Sequence, residues 1–280
     1  MTEIAATRSR RRRWRAGPAV WIPAAVVAVI VLFCAAGQFL APHTPTEPVG
    51  VPYSGPGGGQ LLGTDQLGRD VLSRILDGGV DVLVMAFGGA VVATAIGTLA
   101  GLAAAMLGAR GAMYEGAVLR PFDTVAAIPP VLALILVLTA IPDRWGIVVA
   151  VAAAGAPLSA RVVYSAARPI MARPHVELAI ARGERAWWLL GRELLPLVAA
   201  TIAADAGLRF VMALYLVTAA GFLGIDFGGT DWGTLIVEAM PGATMQPLAL
   251  LAPLVLVATL AVAVNMWADA MLHRSRKVLG

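Results

Sequence analysis

The chain has 280 residues, of which 59% are hydrophobic and only 14% are charged, and its mean hydropathy is +0.80. Charge this sparse over this length is typical of a protein that crosses a membrane several times, and it excludes an ordinary soluble domain. The net charge of +4 does not indicate nucleic acid binding, because the arginines collect at the ends of apolar runs. The single cysteine, Cys34, permits no internal disulfide and is interpreted as a small buried side chain.

An arginine-rich arm precedes the first apolar run. Residues 1–17 contain six arginines, which are Arg8, Arg10, Arg11, Arg12, Arg13 and Arg15, and the apolar run 18–41 follows directly. Basic residues before an apolar core also occur in cleaved signal peptides, but this run is long for a signal core and further apolar runs follow it. We therefore predict a retained first membrane helix at 18–41, with the arm in the cytoplasm against anionic headgroups.

Five further runs are long and apolar enough to cross a bilayer: 82–107, 119–140, 145–165, 197–220 and 247–272. The second span is dense in glycine and alanine, which allows membrane helices to pack closely. In the third span, Pro129 and Pro130 remove two backbone donors, so we expect a kink or an unwound turn there. Such a break either lines a translocation path or is an ordinary structural kink, and both interpretations stay open.

The fifth span contains two charged residues, Asp205 and Arg209, at i, i+4 spacing. An unpaired charge inside a membrane is costly, so we predict that the two side chains pair and face the protein interior. The pair is either a polar patch along a solute path or a structural ion pair between packed helices. The residue pattern does not decide between these roles.

Residues 61–83 combine charged and apolar positions. Asp70 and Arg74 are four residues apart and are predicted to pair on one helical face, while Val71, Leu72, Ile75 and Leu76 are predicted to rest on the membrane. The segment resembles the one that follows the first helix in the C-type permeases of dipeptide, oligopeptide and nickel importers. The resemblance is carried by seven residues: Gly63, Thr64, Asp65, Gly68, Arg69, Asp70 and Arg74. A structural role and a contact with solute both remain open for them.

The longest charged interval between two apolar runs is the loop 166–196. Pro174 suits the first turn of a short helix, Glu177 lies near the positive end of its dipole, and Gly183 is able to end it in a left-handed conformation. Residues 184–193 are predicted to form a second short helix, with Trp187 and Trp188 at the depth of the membrane interface.

This loop resembles the EAA loop of ABC-importer permeases. The matching residues are Glu177, Ala179, Gly183, Leu195 and Pro196, and Leu178 departs from the pattern by replacing its first alanine. In that family the helix sits in a cleft of the cytoplasmic ATPase and transmits its closure. The resemblance therefore implies that these five residues couple the chain to an ATPase. An ordinary solvated loop is the alternative interpretation.

Residues 221–240 resemble the outer segment of the same subfamily. The matching residues are Phe222, Leu223, Gly224, Trp232 and Gly233. The resemblance implies a contribution to an outer gate and to the docking of a solute-binding protein. The glycines and acidic residues of this stretch favour a loop or a re-entrant segment at the outer surface.

The charges also predict the orientation of the spans. With six spans and both termini inside, seventeen of the 21 lysines and arginines fall in inner segments, and three (Arg69, Arg74 and Arg144) fall outside. This asymmetry follows the positive-inside rule, which the inverted orientation would violate.

Together these features identify an all-α, polytopic membrane protein with six transmembrane helices, similar to the ABC type I importer permeases. The resemblance covers roughly residues 61–272 and implies a bacterial inner-membrane subunit that moves a solute into the cytoplasm. Di- or oligopeptides are the first choice of solute, and nickel or metal chelates and glutathione are the alternatives. An ion-coupled secondary transporter with Asp205 and Arg209 as its coupling site is the rival from another class.

The expected partners follow from the resemblance and from one absent motif. The sequence has no phosphate-binding glycine loop ending in Gly-Lys-Ser or Gly-Lys-Thr, so ATP and Mg²⁺ are expected on separate ATPase subunits and no cofactor or metal on this chain. The implied partners are a second permease subunit, one or two ABC ATPases, an extracytoplasmic solute-binding protein and membrane lipid. No nucleic acid partner is expected.

Overall fold

The structure is a computed structural model that describes residues 18–109, 111–225 and 229–279, without the side chains of residues 18, 19, 38 and 272–279. The arginine-rich arm, Arg110 and Asp226 lie outside the described residues. Eleven α-helices are described, with no β-strand among these residues: α1 (Pro18–Ala35), α2 (Gly37–Leu40), α3 (Val71–Gly108), α4 (Ala112–Ala126), α5 (Pro130–Ala140), α6 (Arg144–Met171), α7 (Pro174–Ala181), α8 (Ala186–Trp188), α9 (Leu195–Phe222), α10 (Trp232–Ala239) and α11 (Pro247–Leu279). The all-α prediction is confirmed.

Four described helical segments are long and apolar enough to cross a membrane. They are α3, α6, the continuous helix Ala186–Phe222, and the part of α11 that runs from Pro247 to Met271. The helices α4 and α5 together are apolar enough for a fifth crossing, and α1 is a shorter apolar helix. Six crossings therefore remain a prediction that counts α1 and the α4–α5 pair as one span each.

The predicted third span is not a continuous helix. The helices α4 and α5 meet at an angle of 89° across a break at residues 127–129. Pro129 has an extended ψ of 132° and precedes the first residue of α5, Pro130, so neither residue supplies a backbone N–H to continue α4. The kink expected at these two prolines is confirmed, and it is a complete break.

The bundle has an inner half and an outer half, each with its own apolar core. We call the end with α7 the inner end and the end with the 42–70 loop the outer end, following the arginine distribution. The outer core includes Cys34, Leu134, Ile147, Leu214 and Trp232, all of them essentially inaccessible. The inner core joins the ends of α3 and α6 to α7 and to the start of α9, through residues that include Leu102, Val163, Val176, Leu194 and Val198.

Close contact between α3 and α6 holds the bundle together. A Cβ placed on Gly89 would lie 2.6 Å from Cγ1 of Val151, and one on Gly97 would lie 2.7 Å from the carbonyl oxygen of Ala156. A Cβ on Gly101 would lie 2.6 Å from the carbonyl oxygen of Ala160. These glycines recur on one face of α3 and let the two backbones approach more closely than any side chain would permit.

We expect a single methyl group at this contact to loosen the bundle. Gly97→Ala forces the backbone of α6 away, which should lower the free energy of unfolding by about 1–3 kcal/mol as overpacking does. Gly88→Ala is the matched control, because its Cβ would meet only one atom, 3.9 Å away, and alanine favours the helix. Thermal unfolding of the purified protein in detergent should show a lower Tm for the first variant only, and equal Tm values would contradict the packing argument.

Candidate functional site

The inner-end loop contains a short helix with a defined start and stop. Pro174 is the first residue of α7 and Arg173 caps it in an extended conformation. At the other end, the N–H of Gly183 donates to the carbonyl of Ile180 at 2.9 Å and the N–H of Glu184 donates to that of Ala179 at 3.2 Å. This pair of bonds is a Schellman motif, and Gly183 occupies its left-handed position with a φ of 77°. The predicted termination at Gly183 is confirmed.

The helix α7 has a buried face and an exposed face. Val176 and Ala179 are fully buried against the inner core, while Glu177, Leu178 and Ile180 are exposed. Ala179 thus contacts its own chain and holds α7 on the body of the protein. Glu177, Leu178 and Ile180 are therefore the side chains of α7 that another molecule is able to contact.

The prediction of a separate second short helix at residues 184–193 is wrong. The helix α8 passes through a π-helical turn, Leu189–Leu194, directly into α9. Pro196, in the first turn of α9, supplies no N–H and crowds the carbonyl four residues earlier, which accounts for the wider turn. Leu195 and Pro196 are both exposed, and so is Trp187.

The seven-residue motif after the first helix builds a compact outer loop. Gly63 and Gly68 have φ values of 75° and 76°, and a Cβ on either would collide with a backbone carbonyl. The hydroxyl of Thr64 donates to the carbonyl of Val51 at 2.6 Å and accepts from the N–H of Ser54 at 2.9 Å. These contacts fold residues 49–70 onto the start of α3.

Four charged side chains join this loop to α10 at the outer end. Asp65 accepts from Nε of Arg69 at 2.7 Å and from Nη1 of Arg74 at 2.6 Å. Glu238 accepts from Nη2 of Arg69 at 3.1 Å and from Nη1 of Arg74. Arg74 is 3% exposed, so the network is a buried crosslink between segments more than 160 residues apart. We call these four residues the outer ion network.

The predicted pairing of Asp70 with Arg74 is wrong. Asp70 is instead the N-cap of α3, where its Oδ2 accepts from the N–H and the hydroxyl of Ser73 at 3.0 and 2.6 Å. An N-cap carboxylate satisfies a free N–H of the first helical turn, and this local bond competes with a side-chain partner one turn later. The apolar positions predicted to rest on the membrane also differ, since Val71, Ile75 and Leu76 are buried.

The outer ion network also sets the ionisation of Asp65. Burial by itself would raise the pKa of this carboxyl, but hydrogen bonds from the N–H groups of Arg69 and Leu67, the Arg69 side chain and the charge of Arg74 outweigh it and lower the pKa. A lowered pKa in the folded state means that the carboxylate stabilises the fold above its unfolded pKa. That contribution is lost as the pH falls through the folded pKa.

The predicted outer-gate residues separate into two groups. Trp232 is fully buried and donates from Nε1 to the carbonyl of Ile75 at 3.0 Å, and Gly233 packs against the backbone of α9. Phe222 and Leu223 are about half exposed, and Gly224 follows them with a φ of 76°. The stretch predicted as a loop or re-entrant segment contains the helix α10, which is capped by Asp231.

The charged pair inside α9 lies in the interior of the bundle. Nη2 of Arg209 is 3.2 Å from Oδ1 of Asp205, and the residues are 9% and 2% exposed. Their contact lacks hydrogen-bond geometry, so both carboxylate oxygens and Nε of Arg209 have no hydrogen-bond partner among the described residues. Cδ of Arg209 would lie 3.5 Å from a Cβ on Gly155, which places the pair against α6.

The structure contains a second charged pair, which the sequence analysis did not predict. Arg161 of α6 donates from Nε to Oδ1 of Asp123 of α4 at 2.7 Å, and its Nη2 contacts the other carboxylate oxygen. Both side chains are more than a third exposed, although Arg161 lies ten residues inside the inner end of α6. Residues 124–132, which contain Pro129 and Pro130, are exposed as well. Among the described residues no cluster suited to a metal ion is present.

Comparison with known proteins assigns the chain to a transport family. The model of the family described as "Binding-protein-dependent transport system inner membrane component" matches residues 97–277. The chain belongs to this family. It is therefore an inner-membrane permease component of an ABC importer, and membership implies that it works with ATPase subunits.

Individual relatives agree with the family. The chain is 29% identical to the di/tripeptide transport system permease protein DppC of Pseudomonas aeruginosa over 75% of this chain and 72% of the relative. It is 29% identical to the glutathione transport system permease protein GsiD of Pectobacterium atrosepticum, over 78% and 72%. It is 30% identical to the peptide transport system permease protein SapC of Escherichia coli, over 69% and 65%.

A solved structure shows the same fold. The chain is similar to a chain of the inward-facing MetNI methionine ABC transporter, with a TM-score of 0.57 and 17% identity. The match covers 71% of this permease and 94% of that chain. The type I importer permease fold predicted from the sequence is confirmed.

We expect Arg74 to be the residue on which the outer ion network depends. Arg74→Met leaves two carboxylates, Asp65 and Glu238, with Arg69 as their only cation in the network. The uncompensated negative charge should lower the free energy of unfolding by about 3–5 kcal/mol. Asp81→Asn is the control, because its pair with Arg144 at 3.5 Å is exposed and should contribute at most about 1 kcal/mol. Thermal unfolding measures both variants, and a mild effect of Arg74→Met would contradict the assignment.

A double-mutant cycle tests the pair inside α9. Asp205→Ala leaves the Arg209 charge uncompensated in the bundle, which should lower the Tm and the yield of folded protein strongly. The double variant Asp205→Ala with Arg209→Ala removes both charges and should be milder than the single one. If the destabilisations of Asp205→Ala and Arg209→Ala, each measured singly, add up to that of the double variant, the two side chains do not stabilise each other.

Proposed function

We propose that this permease component moves di- or oligopeptides into the cytoplasm, driven by ATPase subunits that act through α7. The relatives named as peptide permeases support the choice of peptides. Glutathione, named for one relative, and nickel or metal chelates are the second candidates. We further propose that both termini lie in the cytoplasm, as the distribution of arginine favours.

The geometry of α7 is the observation that carries the coupling proposal. Its buried side chains fix it to the inner core, which contains residues of α3, α6 and α9, so a push on α7 reaches three of the long helices. Its exposed side presents Glu177 with two apolar neighbours, Leu178 and Ile180. Such a side suits insertion into a cleft of another protein as an amphipathic helix. Leu195 and Pro196, at the start of α9, are also exposed. We propose that they face the ATPase together with the exposed residues of α7.

The break between α4 and α5 supports a translocation path on the same side as Asp123 and Arg161. Irregular backbone at membrane depth is tolerated only where it is covered by protein or lines a water-filled cavity. Charged side chains within membrane helices likewise face a protein interior or water. The exposed break at Pro129 and Pro130 and the exposed pair therefore favour a face that a second permease subunit and the solute path cover together.

The interior position of Asp205 and Arg209 favours a structural role for that pair. Both side chains pack inside this chain, against α6, and not on its exposed surface. We therefore assign them to the stability of the bundle and place the solute path elsewhere. Because the chain belongs to the importer family, the alternative interpretation as an ion-coupled secondary transporter is rejected.

The remaining parts of the proposal concern partners. The chain is proposed to form a heterodimer with a related permease, to bind one or two ATPases that hold ATP and Mg²⁺, and not to hydrolyse ATP itself. The outer segment with Phe222, Leu223 and Gly224 is proposed to meet the solute-binding protein, since two of these side chains are exposed at the outer end. Trp232 and Gly233 support that segment from within.

Purification of the tagged chain from its own host, in mild detergent, tests the proposal. A second permease and one or two ATPases should be recovered with it, and a captured binding protein should contain a di- or oligopeptide by mass spectrometry. Recovery of a metal chelate or glutathione instead would overturn the choice of peptides. Recovery of a stable transport complex that lacks an ATPase would overturn the coupling proposal.

Two substitutions in the loop test coupling directly. Gly183→Pro is incompatible with a φ of 77° and removes an N–H of the Schellman motif, and Glu177→Arg reverses the charge offered to the partner. We expect both to abolish ATP-dependent uptake in proteoliposomes while membrane insertion is retained. Gly191→Ala, an exposed glycine with no atom near its Cβ position, is the control. Full uptake by both loop variants would show that α7 does not couple.

A further inference from the structure

The charged pair inside α9 has polar atoms that the described part of the chain leaves without a partner. Asp205 is 2% exposed, and neither of its carboxylate oxygens accepts a hydrogen bond from a described residue. Arg209 is 9% exposed, its Nε is equally unpartnered, and its Nη1 contacts only the weak acceptor Sδ of Met212, at 3.7 Å. Buried polar groups are almost always hydrogen-bonded, because folding removes their bonds to water and an unpaired group gains nothing in return.

A third unpartnered group, the hydroxyl of Ser159 on α6, lies at the same level of the bundle. A Cβ on Gly155 would lie 3.5 Å from Cδ of Arg209 and 2.9 Å from Cβ of Ala93, so α3, α6 and α9 meet at this point. The helix α6 runs toward the inner end and α9 runs away from it. Ser159 and Asp205 are therefore both about 6 Å further inward, because each is four residues from this meeting point along its own helix.

The Ser159 hydroxyl differs from other hydroxyls of the long helices. Those of Thr139, Ser165 and Thr218 each donate to a carbonyl three or four residues earlier in their own helix. Ser159 is fully buried, its Oγ would lie 2.8 Å from a Cβ on Gly97, and this Oγ has no hydrogen-bond partner among the described residues. Its donor and its acceptors are therefore free at the junction of α3, α6 and α9.

The chemistry of these groups selects water as their ligand. The unpartnered atoms include acceptors on Asp205, a donor on Arg209 and a hydroxyl that is both. A cation would be repelled by Arg209 and would leave its N–H unpaired, and an anion would be repelled by Asp205. A transported solute has no access, because the chain encloses the pair. Water donates and accepts, and one buried molecule makes about three hydrogen bonds to such groups.

We propose that ordered water, bound at the junction of α3, α6 and α9, bridges the carboxylate of Asp205 and Nε of Arg209 to the hydroxyl of Ser159. The water completes the hydrogen bonds of the charged pair, so both groups stay ionised inside the helical bundle. It also links α9 to α6, between which no direct side-chain hydrogen bond is present among the described residues. The site does not depend on the identity of the solute or on the ATPase.

Cryo-electron microscopy of the intact importer complex in lipid nanodiscs, at a resolution that shows ordered water, tests the site directly. We expect density at about 2.7–3.2 Å from the Asp205 carboxylate and from Oγ of Ser159. An Arg209 side chain bonded directly to both carboxylate oxygens, with no density between Asp205 and Ser159, would overturn the proposal. A Tm that rises when sodium replaces choline, or when chloride replaces gluconate, would also overturn it, because an ion would then be the ligand.

The sign of one substitution tests water binding in a second way. Ser159→Ala removes the hydroxyl, and if this group holds the bridging water, the Tm of the complex should fall by about 2–4 °C. If the hydroxyl binds nothing, removal of an unpaired buried polar group should raise the Tm, which would contradict the proposal. Ser165→Ala is the matched control on the same helix and should leave the Tm unchanged. It makes the same change in helix propensity at an exposed hydroxyl that is bonded to the carbonyl of Val162.

A double-mutant cycle shows whether the hydroxyl acts through the charged pair. In the variant with both Asp205→Ala and Arg209→Ala the water has lost its charged partners, so the further change Ser159→Ala should no longer lower the Tm. An equal fall in Tm in both backgrounds would show that Ser159 contributes by packing alone, and the bridge would be rejected. Asp205→Leu with Arg209→Met fills the same space with apolar atoms and supplies the background if the alanine variant does not assemble.

Discussion

The contact between α3 and α6 is the interaction on which the rest of the structure depends. In a bilayer no hydrophobic force draws helices together, so association relies on close packing. Gly89, Gly97 and Gly101 provide that packing over a little more than three turns of α3 and bring the two backbones together. The long helix α9 packs on this pair and α11 packs on α9, and both apolar cores contain residues from α3 and α6. The α3–α6 pair therefore connects α7 at the inner end of the bundle with α10 at the outer end.

The two ends of the frame are built on different physical principles. At the inner end a short helix is attached by two small buried side chains, Val176 and Ala179, and ended by a glycine. This attachment leaves one side free for a partner. At the outer end Asp65, Arg69, Arg74 and Glu238 neutralise one another in a buried network that ties the 61–74 segment to α10. A network of ion pairs of this kind fixes one arrangement of its segments, since a displacement leaves a buried charge unpaired.

Exposure separates the two charged pairs within the helical bundle. Asp205 and Arg209 are enclosed by the chain, and we propose that they stabilise it, because bulk water does not reach an unpaired charge at that position. Asp123 and Arg161 are exposed beside a break in the helix, which favours a wet or protein-covered face. The same residue types at the same kind of position therefore support different roles. In the proposed function, a second permease subunit and the solute path cover that face.

The sequence by itself determined the class of the protein, because apolar run length and arginine position report directly on the bilayer. It also determined local events: the break at Pro129 and Pro130 and the helix end at Gly183 follow from backbone chemistry within a few residues. Only the tertiary structure decided the partners of Arg74. Asp70 is four residues away but caps α3, while Glu238, which does bind Arg74, is 164 residues away. It likewise decided that Ala179 faces inward and that Trp232 supports the outer segment from within. Those outcomes depend on which helices pack together, and a pattern of residue types along one segment does not contain that information.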